Sequence, residues 1–163
     1  MLATQLGRVT FLMSLLFFPL LSLAYAPPLT LSGATTSGEK ISITLERSKL
    51  ESLPQSSLST RLPWFEGTAE FEGVLLSDLL NTYSLSYKTI TVTALNDYQV
   101  DVSQQYLDEF NPLIAIKKNG KYLKVRNYGP YWLVASIDAY PELAQTEHLG
   151  KMVWQIEFIE TKQ

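Results

Sequence analysis

Phe71-Glu72-Gly73-Val74-Leu75-Leu76-Ser77-Asp78-Leu79-Leu80 is the segment on which the fold reading turns. Leu75, Leu76, Leu79, Leu80 and then Tyr83 fall on one broad face at helical spacing, which predicts a helix over Val74–Tyr83. Just upstream, Gly67 to Gly73 reads as a turn and a short extended piece. Elsewhere the apolar period is two, the mark of a half-buried strand. It is seen as Ile41, Ile43 and Leu45 in Lys40–Leu45, as Ile90, Val92 and Ala94 in Lys88–Ala94, and as Met152, Trp154, Ile156 and Phe158 in Met152–Ile159. Short alternating segments around one clear amphipathic helix predict an α+β domain, with mixed sheets of short strands and a few short helices.

The remaining elements follow from turn chemistry. Leu29–Ser32 reads as a strand before the turn-rich Gly33–Gly38, and Glu46–Leu53 as a short helix ended by Pro54. Ser57–Leu62 reads as a strand running into Pro63-Trp64-Phe65. Asn96-Asp97 is a turn pair that returns the chain as a strand over Tyr98–Val102, making a hairpin with Lys88–Ala94. Gln104–Phe110 reads as a helical turn. Leu113–Lys117 and Tyr122–Val125 flank Lys118-Asn119-Gly120, and Asn-Gly favours the positive-φ turn that matches strand twist. Tyr131–Ala135 reads as a strand, Pro141–Glu147 as a loop or one helical turn, and Met152–Ile159 as the closing strand.

The first 26 residues have a different character. Arg8 is the single charge in Met1–Ala26, an apolar run follows from Val9 to Leu23, and Ser22-Leu23-Ala24 and Ala24-Tyr25-Ala26 are small-x-small sites. This order predicts a secretory signal peptide over residues 1–26, cleaved after Ala24 or Ala26. A single domain over residues 27–163 then remains, located in a periplasm and not embedded in a membrane. The whole chain of 163 residues carries 13 Lys+Arg against 16 Asp+Glu, and losing Arg8 leaves 12 against 16. A mildly acidic domain is not built to hold nucleic acid. With no Cys, the chain has no disulfide, no thiolate metal ligand and no cysteine nucleophile, and one His is too few for a histidine cage.

The chemistry-bearing residues are few. His148, beside Gly150, reads as an exposed loop histidine with no serine elbow to serve, since G-x-S-x-G is absent. Glu70 and Glu72, two apart on an extended piece, share a solvated strand face. The more informative constellation is aromatic and polar together: Trp64 after Pro63, Asn96-Asp97-Tyr98 at a turn, and Arg126, Tyr128 and Trp132 around Gly129-Pro130. Each cluster lies at a strand end, where loops carry function. Rings for stacking plus a few polar groups suit a flat heteroaromatic ligand, although core packing is the plainer account of Trp64 and Trp132.

Several segments in order carry a family resemblance over nearly all of residues 27–163. They are Pro63-Trp64-Phe65-Glu66-Gly67, Phe71 to Leu80, Ala94-Leu95-Asn96-Asp97-Tyr98, Val125-Arg126-x-x-Gly129-Pro130-x-Trp132, Tyr140-Pro141-Glu142-Leu143 and Trp154-Gln155. Together they resemble the oxidoreductase molybdopterin-binding domain, the sulfite-oxidase fold. In the family's enzymes a cysteine thiolate holds molybdenum; the corresponding stretch, about Ser59–Arg61, has none. The chain is thus similar to the exported members without that cysteine. For those the resemblance implies no enzyme activity and no metal. It implies instead a reduced pterin as ligand and regulation of a membrane diguanylate cyclase or phosphodiesterase through that protein's periplasmic sensor domain. On this reading Asp97 accepts the ring's N–H donors, Arg126 or Asn96 donates to its carbonyl, and Trp64 or Tyr128 stacks on its face, with Tyr98 and Trp132 in the same site. Two rivals stand beside it: a molybdopterin-dependent oxidoreductase that manages without the thiolate, and an interaction module with no ligand.

Overall fold

The structure, a computed structural model, describes residues 26–163. The predicted signal peptide lies, but for Ala26, outside these residues. In chain order the elements are β1 (Leu29–Ala34), β2 (Lys40–Leu45), α1 (Arg47–Glu51), β3 (Ser56–Arg61), β4 (Thr68–Leu75), α2 (Leu76–Thr82), β5 (Thr89–Ala94) and β6 (Gln99–Ser103). They continue with α3 (Gln104–Phe110), β7 (Leu113–Lys118), β8 (Lys121–Tyr122), a 3-10 turn (Val125–Asn127), β9 (Trp132–Val134), a second 3-10 turn (Pro141–Ala144), α4 (Thr146–Leu149) and β10 (Ile156–Lys162). The domain is mixed α+β, with short strands in two sheets and few helices, as its alternating segments predict.

The first sheet runs β2-β1-β10-β5-β6, antiparallel except for the parallel pair β1/β10. The second runs β3-β4-β7-β8, and β9 pairs with the other half of the same β7 edge. Buried Leu29, Leu31, Val92 and Ile159 come from the first sheet, and buried Phe71, Val74, Ile114, Trp132 and Leu133 from the second. Leu76, Leu79 and Leu80 of α2 add the helix's apolar face to the same core. Among the described residues, no helix is long and apolar enough to cross a membrane.

Three boundaries depart from the periodicity. The helix predicted from Val74 starts at Leu76, because Gly73, Val74 and Leu75 pair with Ala115, Ile114 and Leu113 of β7. Gly73 is required there: a Cβ at this position would run into the Ile114 carbonyl oxygen, so the two backbones close up only over glycine. The strand predicted over Tyr122–Val125 stops at Tyr122, and the chain coils into the 3-10 turn that Tyr128 ends in a left-handed conformation. The closing strand starts at Ile156, not Met152, because Gln155 adopts φ 57, which breaks the alternation. The Asn119-Gly120 hairpin forms as its sequence demands, with φ 50 and 70 at the two central residues. The Asn119 side chain then accepts from the Glu70 N–H at 2.9 Å, tying the hairpin to β4.

Candidate functional site

The segment between α4 and β10 joins the two sheets. On one side the Leu133 N–H donates to the Val153 carbonyl at 2.8 Å, and Trp132 and Trp154 form a bridge. On the other, the Leu95 N–H donates to the Gln155 carbonyl at 2.9 Å. This crossover brings the end of β5 beside the end of β9, so strand ends from both sheets meet at one place. A cleft of about 390 Å³ opens there, a volume typical of small-molecule sites. Its aromatic walls are Trp64, Trp154 and Tyr98, and Met152, Val153, Leu149 and Ala94 supply apolar surface. Asn96 and Thr146 bring polar side chains.

All three tryptophans of the chain share one cluster. The Trp64 and Trp154 rings stand 5.3 Å apart at 81°, and Trp64 sits 5.6 Å from Trp132. Tyr128 stacks on Trp132 at 4.8 Å and 28°, and meets Trp154 at 5.4 Å. Phe71 closes the back with an edge contact to Trp132 at 5.5 Å. Edge-to-face pairs of this kind add about 0.5–1.5 kcal/mol each beyond the area they bury. Trp132 is wholly buried, and its indole N–H donates to the Met152 carbonyl at 3.0 Å. That bond fixes the backbone on which Val153 and Trp154 approach the cleft.

The polar rim comes from the β5–β6 turn. The Asp97 N–H donates to the Ala94 carbonyl at 3.0 Å, and the Ala94 N–H donates to the Tyr98 carbonyl at 2.9 Å. The Asn96 side-chain oxygen Oδ1 accepts from the Tyr98 N–H at 3.3 Å, which leaves the side-chain amide nitrogen free to donate. The Tyr98 hydroxyl donates to the Gly150 carbonyl at 3.1 Å and so joins the turn to the end of α4.

The seven residues singled out in the sequence therefore separate into four settings. Trp64, Asn96 and Tyr98 line the cleft. Tyr128 and Trp132 stand behind it, as the stack that supports Trp64 and Trp154. Asp97 is next door in sequence but does not line the cleft; it takes the left-handed position of the turn, φ 63, and is exposed. Arg126 lines a different pocket, because the 3-10 turn carries it to the face shared with Arg47. Trp154, Thr146 and Leu149 also line the cleft, and none of them is among those seven. The period of two makes Trp154 an apolar beat of the closing strand, but its place after Val153 and before left-handed Gln155 puts it on the crossover instead.

His148 differs from the exposed loop residue that its neighbours suggest. It lies in α4, half-buried, stacked 5.9 Å from Tyr106 and edge-on to Phe110 at 5.7 Å, and its Nδ1 is buried with no hydrogen-bond partner. Burial pushes the Tyr106 hydroxyl up to about 12. Glu70 and Glu72 do share the solvent-facing side of β4, opposite buried Ala69 and Phe71. Among the described residues, no group of three or more His, Cys, Asp or Glu side chains is placed to hold a metal ion. In comparisons with known proteins, the chain matches no protein-family model and no curated protein.

Proposed function

We propose that this protein is a ligand-binding regulator that takes a flat, reduced pterin into the aromatic cleft and does not turn it over. The observation that carries the reading is the pair Trp64 and Trp154, set nearly at right angles on a cleft of about 390 Å³ with the Asn96 amide at its rim. A bicyclic ring stacked on one indole presents its edge to the other, gaining a stacking and an edge contact at once. The Asn96 amide nitrogen then donates to the ring carbonyl, and the Tyr98 hydroxyl and the Gly150 backbone face the same space. Met152 adds a polarisable thioether beside the rings.

The remainder of the proposal rests on the ordered segments from Pro63 to Gln155 and their likeness to the molybdopterin-binding domain. On that basis the fold is of sulfite-oxidase type, the protein acts in the periplasm after removal of its leader, and its partner is the periplasmic domain of a membrane cyclic-di-GMP enzyme. The β5–β6 turn and α4 are the elements fitted to report occupancy, since the Tyr98–Gly150 hydrogen bond links them across the cleft mouth. A ligand shifts such a reporter only by binding its two states with different affinity. Mass spectrometry of small molecules released from protein purified from the periplasm tests the reading. It predicts a pterin in the wild-type protein and none in Trp64→Ala; wild-type protein that carries no pterin, and binds none when one is supplied, overturns it.

A further inference from the structure

We propose that the face formed by α1 and the β7–β8 hairpin is a second ligand site, separate from the aromatic cleft, that binds the phosphate group of an organic phosphate ester. The charge distribution along the chain points to it. Residues 111–137 contain Lys117, Lys118, Lys121, Lys124 and Arg126 and no Asp or Glu, in a chain whose net charge is −3. The fold adds Arg47 of α1 to this group. Arg47, Lys124 and Arg126 line one concavity of about 450 Å³, together with Tyr122, Leu123 and Pro130. Among the described residues the ion pairs are Arg61–Asp138, Lys151–Glu147 and Lys162–Glu160, so none of these three cations is in an ion pair. A concave surface lined by one sign of charge focuses its field and concentrates counter-ions of the opposite sign.

The cations are also held in place. The Arg47 guanidinium lies 4.2 Å from the centroid of the Tyr122 ring, and the Lys117 ammonium 5.2 Å from the same centroid. The nearby carboxylate, Glu51, accepts from the Tyr122 hydroxyl at 2.6 Å and forms no ion pair with Arg47 among the described residues. Arg126 rides on a 3-10 turn pinned at both ends. The Asn127 and Gly129 N–H groups both donate to the Lys124 carbonyl, and the Gln155 side-chain amide donates to the Val125 carbonyl at 2.7 Å. Two guanidinium forks and an ammonium bordering one concavity match the several oxygens of a phosphate ester. Val125, exposed and in the same lining, offers apolar wall for the organic part of the molecule, with buried Leu123 and Pro130 behind it. The concavity shares no lining residue with the aromatic cleft.

Calorimetric titration of the purified protein with phenyl phosphate tests this, with flotation on phosphatidylcholine vesicles containing about a quarter phosphatidylglycerol as a parallel arm for a lipid headgroup. The expected result is saturable binding of one phenyl phosphate, weakened about tenfold or more by Arg47→Gln and by Arg126→Gln. Added salt weakens it further, whereas Trp64→Ala leaves it unchanged. Vesicle binding that depends on the same two arginines, without phenyl phosphate binding, supports the site and assigns it to a lipid headgroup. Binding of neither probe, or binding indifferent to both arginine substitutions, overturns the proposal. Arg126 is exposed and Arg47 half-buried, and circular dichroism verifies that the variants are folded.

Discussion

Trp132→Phe separates the supporting stack from the cleft it supports. Trp132 is wholly buried, touches Trp64, Phe71, Tyr128 and Trp154, and donates its indole N–H to the Met152 carbonyl at 3.0 Å. Phenylalanine keeps one ring in the stack but removes the donor and the pyrrole half. The orphaned carbonyl costs about 1–3 kcal/mol. The lost ring atoms add roughly 1–2 kcal/mol of transfer and cavity free energy. The sum, about 2–5 kcal/mol, is a large fraction of the ~5–15 kcal/mol that holds a domain folded. Urea unfolding followed by far-UV circular dichroism measures it. With a mid-range slope of ~2 kcal/mol/M the midpoint falls by about 1–2.5 M, and an unchanged slope shows that the same surface is exposed in both proteins. Trp64→Ala, on the half-buried cleft wall, removes ligand binding. A loss for Trp132→Phe below the ~0.5 kcal/mol of an ordinary surface change refutes the assignment of Trp132 to the core.

Two further predictions concern pH. Burial raises the Tyr106 hydroxyl from 10.0 to about 12, so the folded state favours the neutral phenol. The stability this represents is whole below pH 10.0 and is lost as pH rises through about 12. Difference titration of tyrosinate absorbance against Tyr106→Phe should show one tyrosine ionising in that window; ionisation along with exposed tyrosines contradicts the packing against Phe110 and His148. The Asp138 carboxyl is held below its ordinary 3.8, first by the Arg61 side chain at 2.8 Å and then by the Arg61 N–H at 2.9 Å. A depressed carboxyl stabilises above its unfolded value, and that contribution is lost as pH falls below 3.8 through the folded value. Asp138→Asn should therefore flatten the acid limb of a stability-against-pH curve, and an unaltered limb rejects the pair as a contributor.

Where the sequence could be read, local chemistry set the answer. Asn119-Gly120 permits one kind of turn, and the leucines of 75–80 permit one kind of face, so hairpin and helix were both legible. The start of the helix was not, because long-range pairing of Gly73–Leu75 with β7 outcompetes the local helical period. The site shows the same division. Trp64, Asn96 and Tyr98 could be found as aromatic and polar residues at strand ends. That Arg126 belongs to another face depends on a 3-10 turn and on a partner, Arg47, far away in sequence. The place of Trp154 at the cleft depends on Gln155 interrupting the alternation with a single positive φ, and the burial of His148 comes from rings contributed by α3. No local pattern carries such information, because it arises only when separate elements pack.

The clustering of all three tryptophans, two on the cleft wall and Trp132 behind them, makes intrinsic fluorescence the direct test of the central claim. Titration with tetrahydropterin under anaerobic conditions should quench tryptophan emission saturably at one ligand per chain. The quench should be lost in Trp64→Ala, weakened about tenfold by Asn96→Ala through the missing hydrogen bond, and retained in Arg126→Gln. A flat titration of the wild-type protein, or one that Trp64→Ala leaves intact, contradicts the assignment of this cleft to a pterin.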